Sequence, residues 1–257
     1  MGLLDGKIAV IFGVANHRSI GWQIALAFAE QGATLAFAAQ ERVAPDVQKL
    51  AATLGDSPVL TCDVQNDGDV PAVFAALAER YGGIDIVVHS LAFANREDVS
   101  GRRYVDTSRA GFLLALDVSA YSLTQLARAA EPLLEARGGG SIVTMTYMGS
   151  ERVIPNYNVM GVAKAALECS VRYLANDLGP KGIRVNAISA GPQRTLAARA
   201  IAGFPDMEKH VAARAPMRRN VEGQDLGSAA LYLCSDLGRN VTGEVLHVDG
   251  GYNIIGM

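Results

Sequence analysis

Lys7-Ile-Ala-Val-Ile-Phe-Gly13-Val-Ala-Asn-His-Arg-Ser-Ile-Gly21 runs from an apolar strand through a glycine-flanked loop into a helix that the sequence carries from Ser19 to Gly32. Ser19 is a plausible N-cap and Gly32 a stop. A strand apolar on both faces is covered on both sides. The same alternation continues outward. Thr34–Ala39, Pro58–Cys62, Ile84–His89, Ser141–Thr146, Ile183–Ile188 and Glu244–Val248 read as further strands. Asn66–Tyr81, residues 108–136, Pro155–Leu178 and Gly223–Ser235 read as helices. Without a linker or internal repeat, the pattern predicts an α/β protein: one doubly wound domain spanning 1–257, with about seven parallel strands and helices on both faces.

The 257 residues are 50% hydrophobic and 19% charged, with a net charge of −3. That composition excludes general disorder and argues against a nucleic-acid-coating protein. Cys62, Cys169 and Cys234 are too scattered for a disulfide framework or a zinc site, so no metal is expected and reduced thiols in a cytoplasm fit best. The first residues lack the order of a signal peptide, and no eighteen apolar residues run together, so no membrane span is expected.

The loop from Gly13 to Gly21 opens a helix, whose N-terminal amides and dipole suit a pyrophosphate. It lacks the usual G-x-G-x-x-G, so an ordinary strand-to-helix turn stays open. About twenty residues on, strand two ends in Gln40-Glu-Arg42, where an acid favours NAD and a base NADP. Gln40 is neither; the segment leans to NADH with NADPH possible. Asp63, at the end of strand three, can accept from an adenine amino group or cap the next helix.

Tyr157 and Lys164 stand seven residues apart, ~20° short of two helical turns, so a helix there stacks them on one face. The ammonium is expected to lower the phenol's pKa and to reach ribose hydroxyls. Lys164 is one of five lysines and lies in the apolar run Val159–Leu167, where an unpaired charge is costly.

The segment Thr146-Tyr-Met-Gly-Ser-Glu-Arg-Val-Ile-Pro-Asn-Tyr-Asn-Val-Met-Gly-Val-Ala-Lys164 resembles the active-site segment of the bacterial enoyl-[acyl-carrier-protein] reductases, a divergent branch of the short-chain dehydrogenase/reductases. The ordinary branch has Tyr-x3-Lys, whereas four residues after Tyr157 stands Gly161. His89-Ser-Leu-Ala-Phe-Ala94, Asn186-Ala-Ile-Ser-Ala-Gly-Pro-Gln-Arg-Thr-Leu-Ala-Ala198 and His247-Val-Asp-Gly-Gly251 resemble further motifs of that family. The resemblance covers essentially the whole chain and implies a Rossmann-type fold, reduction of a trans-2-enoyl thioester by NADH, an acyl carrier protein partner and a homotetramer. It implies that Tyr157 stabilises the enolate, that Tyr147 lines the acyl pocket and that Lys164 holds the nicotinamide ribose. Gly13, Ser19, Ile20, Gln40, Asp63, Val64, Ser90 and Leu91 match cofactor contacts, and Ala94 matches a backbone contact to substrate. Gln193, Arg194, Thr195, Leu196 and Ala197 match the loop that holds carboxamide and pyrophosphate; Gln193 stands where a branched apolar residue is usual. Thr144, at the ordinary branch's serine position, rivals Tyr147 as a helper.

From Arg194 to Arg219 six basic residues face two acids, so the segment is +4 and the rest of the chain −7. It suits docking of an acidic carrier protein, or is a solvated helix face. Leu196, Ile201, Phe204 and Met207 make residues 194–215 a candidate substrate lid, or simply core. The apolar tail from Tyr252 to Met257 is expected at a subunit interface. His89 reads as structural, and Trp22 as packing beside the loop. The rival functions are a 3-ketoacyl reductase and a non-catalytic dinucleotide sensor.

Overall fold

The computed structural model describes residues 2–196, 198 and 201–256. Seven parallel strands form one sheet in the order β3-β2-β1-β4-β5-β6-β7: β1 Ile8–Phe12, β2 Thr34–Ala39, β3 Val59–Thr61, β4 Ile86–His89, β5 Gly140–Thr146, β6 Ile183–Ala190 and β7 Val245–Val248. All six pairings are parallel. The helices are α1 Ile20–Glu30, α2 Ala44–Ala51, α3 Asp69–Tyr81, α4 Arg96–Val99, α5 Arg109–Leu116, α6 Ser122–Glu135, α7 Asn158–Leu178, α8 Phe204–Arg214 and α9 Gly223–Cys234. The central strands β1 and β4 are almost wholly buried because helices cover both faces. One core joins side chains of α3, α6 and α7 to the sheet; the other joins those of α1, α2 and α9. Trp22 is buried in the second core, its ring 6.0 Å from that of Phe37.

The order reverses between β1 and β4, so the loops after these two strands diverge and leave a crevice at their carboxyl ends.

Four details depart from the sequence expectations. Ser19 is the N-cap residue of α1, but its hydroxyl turns back to accept from the amides of Ala15 and Asn16, at 3.0 and 3.2 Å. The helix expected from Pro155 starts at Asn158, because Asn156 and Asn158 hold left-handed backbone, φ 61° and 36°. Asparagine tolerates that conformation, and it delays the first regular turn. The helical region 108–136 carries a π turn at Asp117–Tyr121, between α5 and α6. Its span Arg109–Glu135 is apolar and long enough to cross a membrane, but half of that window is buried inside the fold, as in a core helix. Finally, α2 and α8 occupy stretches that the periodicity left without helices.

Candidate active site

Gly13 follows β1 with φ +94°, and a Cβ there would lie 2.0 Å from the Ser90 carbonyl oxygen. Only glycine lets the two loops touch, and the contact brings Gly13, Ser90 and Leu91 together at the switch point. Because Ser19 keeps its hydroxyl for Ala15 and Asn16, α1 has no side-chain cap. The amides of Trp22 and Gln23 turn inward to the Ser19 carbonyl, and the first-turn amides at Ile20 and Gly21 face the crevice end of the helix. A bare glycine floor beside an uncapped helix N-terminus fits the pyrophosphate of a dinucleotide.

The far end of the crevice is a polar chain. Gln40 donates from Nε2 to Asp63 Oδ2 at 2.9 Å, while its Oε1 accepts from Arg42 Nε at 3.1 Å. Asp63 Oδ1 accepts from the Gln65 amide, so this carboxylate caps its own turn while remaining part-exposed at the end of β3. Val64 and Leu91 also pack against the core below.

Tyr157 caps α7, and its ring lies where a Cβ on Gly149 would come within 2.4 Å of it. It is 8% exposed and clusters with Met160 and Ala163, against which Ala94, Leu116, Tyr147, Ile154 and Ile201 pack. Tyr147 meets Tyr157 edge to face, with centroids 5.1 Å apart. The structure thus gathers the two tyrosines and Ala94 in one apolar pocket. Lys164 is 4% exposed, and its Nζ donates to the Met145 carbonyl at 2.7 Å. Burial lowers its pKa to about 8, with Glu168 pulling the other way.

The expected lowering of the Tyr157 pKa by Lys164 does not occur. Burial pushes the phenol well above the usual tyrosine range, and Tyr147 and Glu168 add to the shift. Tyr157 is therefore held as a neutral hydrogen-bond donor. Burial likewise raises Tyr147, whose hydroxyl donates to Met207 Sδ at 3.0 Å.

Thr144 is no rival to Tyr147. Parallel pairing sets it opposite His89, and its hydroxyl meets His89 Nδ1 at 2.7 Å. His89 Nε2 reaches Ser122 Oγ at 2.8 Å, and that hydroxyl donates onward to the Val118 carbonyl. The chain is satisfied with His89 neutral, protonated at Nε2. Burial, then Lys164, pushes His89 down to about 3. In the unfolded chain a histidine titrates near ~6.5. A depressed folded value gives stability that is complete above the unfolded value and is lost as pH falls towards the folded one. This group should therefore cost ~2 kcal/mol between pH 7 and pH 5. Urea unfolding at the two pH values checks this, and His89→Asn should flatten the loss.

Beyond β6 the chain turns over the crevice. Gln193 Nε2 donates to the Val221 carbonyl at 2.7 Å, so its side chain ties this loop to the segment before α9. The Arg194 guanidinium is gripped by both carboxylate oxygens of Glu208, at 2.9 and 2.8 Å, rather than offered to a phosphate. Thr195 Oγ1 accepts from the Ala198 amide, and Leu196 is 46% exposed. Ala197 lies outside the described residues. Asn156 Nδ2 donates to the Ala202 carbonyl and Asn158 Nδ2 to that of Arg102, tying the Tyr157 turn to the segments on either side of the pocket. The basic patch is partly spent internally: Lys209 has Asp206 at 3.8 Å and Arg219 has Asp225 at 3.6 Å, besides the Arg194 pair.

Sequence reasoning missed Glu168 and Ser119, while Met207, a candidate lid residue, does reach the site through Tyr147. Ser119, on the π turn, accepts from the Phe93 amide and donates to its carbonyl, fixing the loop that carries Ala94. The signal of Glu168 and Ser119 is tertiary: their contacts lie 22 and 26 residues away along the chain.

A glycine-floored, uncapped helix N-terminus at the switch point, with a buried neutral phenol seven residues before a buried ammonium, defines a dinucleotide-dependent oxidoreductase of the short-chain type. Comparison with known proteins agrees. A family model described as Enoyl-(Acyl carrier protein) reductase matches residues 13–253. The Bacillus cereus enoyl-[acyl-carrier-protein] reductase [NADH] FabI is 53% identical, with both chains covered in full. The crystal structure of the Bacillus cereus enoyl-acyl carrier protein reductase, with NADP+ and indole naphthyridinone, superposes with a TM-score of 0.97 at 53% identity, each chain fully covered. The Anaplasma phagocytophilum reductase in complex with NAD gives 0.95 at 50% identity, over 100% of this chain and 97% of that one. The chain belongs to the enoyl-(acyl carrier protein) reductase family.

Proposed function

We propose that this chain reduces the trans-2 double bond of an enoyl thioester carried on acyl carrier protein to the saturated acyl thioester, using NADH, as a step of fatty acid synthesis. The observation that carries the reading is the neutral Tyr157 phenol, buried in an apolar cluster and seven residues from the buried Lys164. When bound, the reduced nicotinamide supplies a hydride for the β-carbon of the substrate. Tyr157 donates to the thioester carbonyl oxygen and stabilises the enolate that develops there. Lys164 presents its ammonium to the ribose hydroxyls, and Gly13, Ser19, Ile20, Ser90 and Leu91 line the cradle for the rest of the nucleotide. Gln40 and Asp63 take the adenosine end, Val64 flanks the adenine, and Gln193 to Leu196 close over carboxamide and pyrophosphate through their backbone, with Ala197 assigned to the same cofactor-binding loop. Tyr147 and the Ala94 backbone shape the thioester end of the pocket.

The chain is one catalytic domain in which residues 194–215 act as a lid. Ile201 already packs against the cluster around Tyr157, and Met207 accepts from the Tyr147 hydroxyl, which supports that role. Basic side chains near the lid suit an acidic carrier protein. A cytoplasmic homotetramer is the working form; Tyr173 and Leu113, both well exposed on α7 and α5, offer apolar surface for self-association.

The test is NADH oxidation, followed by absorbance, with a trans-2-enoyl thioester. NADPH and a 3-ketoacyl thioester run in parallel. Turnover is expected with the enoyl substrate alone and faster with NADH; Arg42, held at the Gln40 carboxamide, makes NADPH the informative second cofactor. Turnover with the keto substrate alone would make the chain an ordinary reductase, and cofactor binding without turnover would make it a sensor.

A further inference from the structure

We propose that Glu168 is a positioning residue of this site: with Thr146 it locks the end of β5 to α7, and so fixes where the Lys164 ammonium and Tyr147 stand. The proposal rests on the reading of Lys164 as the residue that holds the cofactor ribose.

Lys164 and Glu168 are one helical turn apart on α7, on the same face. They grip two consecutive residues of β5. Lys164 Nζ takes the Met145 carbonyl at 2.7 Å, and Glu168 Oε1 accepts from Thr146 Oγ1 at 2.5 Å. All the side chains in this clasp are buried: Thr146 is 3% exposed, Lys164 4% and Glu168 7%. The next residue is Tyr147. A slip of β5 along α7 would break both grips at once, so the clasp sets the position of Tyr147 relative to Tyr157.

A carboxylate with one protein donor is costly to bury unless its charge is used. His89, on β4, feels the ammonium, while Tyr157 stands at the start of α7 and Tyr147 just after β5. His89 is held neutral and the tyrosines protonated. Glu168 is the one charge whose pull on the ammonium is felt; it opposes the burial that lowers Lys164. The same charge raises Tyr157. One carboxylate thus favours both protonation states the reaction needs, a charged lysine and a neutral phenol.

Glu168→Gln keeps an oxygen for Thr146 and removes the charge. Two readouts separate positioning from mere structure. Lysine labelled with carbon-13 at Cε can be titrated by NMR, since the chain has only five lysines and Lys164→Arg identifies the resonance. NADH binding is followed by fluorescence over the same pH range. In the parent, the Lys164 midpoint is expected near 8 and NADH affinity falls as pH rises through it. In Glu168→Gln both should move down by about one unit, a tenfold change in the deprotonation constant. If that variant does not fold, Glu168→Asp, which draws the charge back by one methylene, should shift both in the same direction by less. An unmoved midpoint with NADH affinity weakened equally at every pH would overturn the proposal and leave Glu168 purely structural. A titrating Lys164 with pH-independent NADH affinity in the parent would instead overturn the cofactor role of Lys164, and the proposal with it.

Discussion

Tyr157→Phe is expected to lower kcat for a trans-2-enoyl thioester by ~10²–10³, the usual loss for one oxyanion donor. NADH affinity and folding should stay near those of the parent. The ring is what packs: it lies on the bare face of Gly149 and edge-on to Tyr147, and phenylalanine keeps both contacts. Only the hydroxyl is lost, so the effect reads its chemistry. Because burial, Tyr147 and Glu168 all raise this phenol, it stays protonated through neutral pH, and any alkaline loss of activity should follow Lys164, near 8. Tyr147→Phe should cost less, since its hydroxyl already donates to Met207. Steady-state kinetics with both variants decide the matter. An unchanged kcat in Tyr157→Phe would remove the assigned role.

The strands were legible because burial on both faces leaves little but apolar residues; Thr34–Ala39 matches β2 residue for residue. Tyr157 and Lys164 were legible because their spacing is a helical period, although α7 starts only after Tyr157. Other features had no local signal. The π turn inserts one extra residue without a glycine or proline to mark it. The His89–Thr144 bond exists only because β4 and β5 pair in one particular register, which a single chain segment cannot announce. Glu168 has no mark of its own within a long helix; only burial against Thr146 gives it a role. The direction of the Tyr157 shift was misjudged for a related reason. Charge type can be read along a chain, whereas desolvation, the larger cause here, depends on what folds over the group.

Gly13→Ala should give the largest loss in the cradle, and Gly55→Ala supplies its control. Both glycines have positive φ, +94° and +90°, and Gly55 adds ψ −150°, so alanine is strained by ~1–3 kcal/mol at each. The surroundings differ. At Gly55 an added Cβ meets nothing within 4 Å, whereas at Gly13 it would lie 2.0 Å from the backbone oxygen of Ser90. A backbone atom cannot swing aside as a side chain can. The loop after β4 would have to retreat and give up the bond from the Ser90 amide to the Phe12 carbonyl, at 3.1 Å. We expect Gly13→Ala to cost ~3–5 kcal/mol, strain and overpacking together. The Tm rise that NADH gives the parent should vanish, because the retreating loop carries Ser90 and Leu91 away from the N-terminus of α1. Thermal melts with and without NADH measure both effects. Should Gly13→Ala match Gly55→Ala in stability and keep its NADH-induced rise, the contact between the two loops is not what forms the cradle.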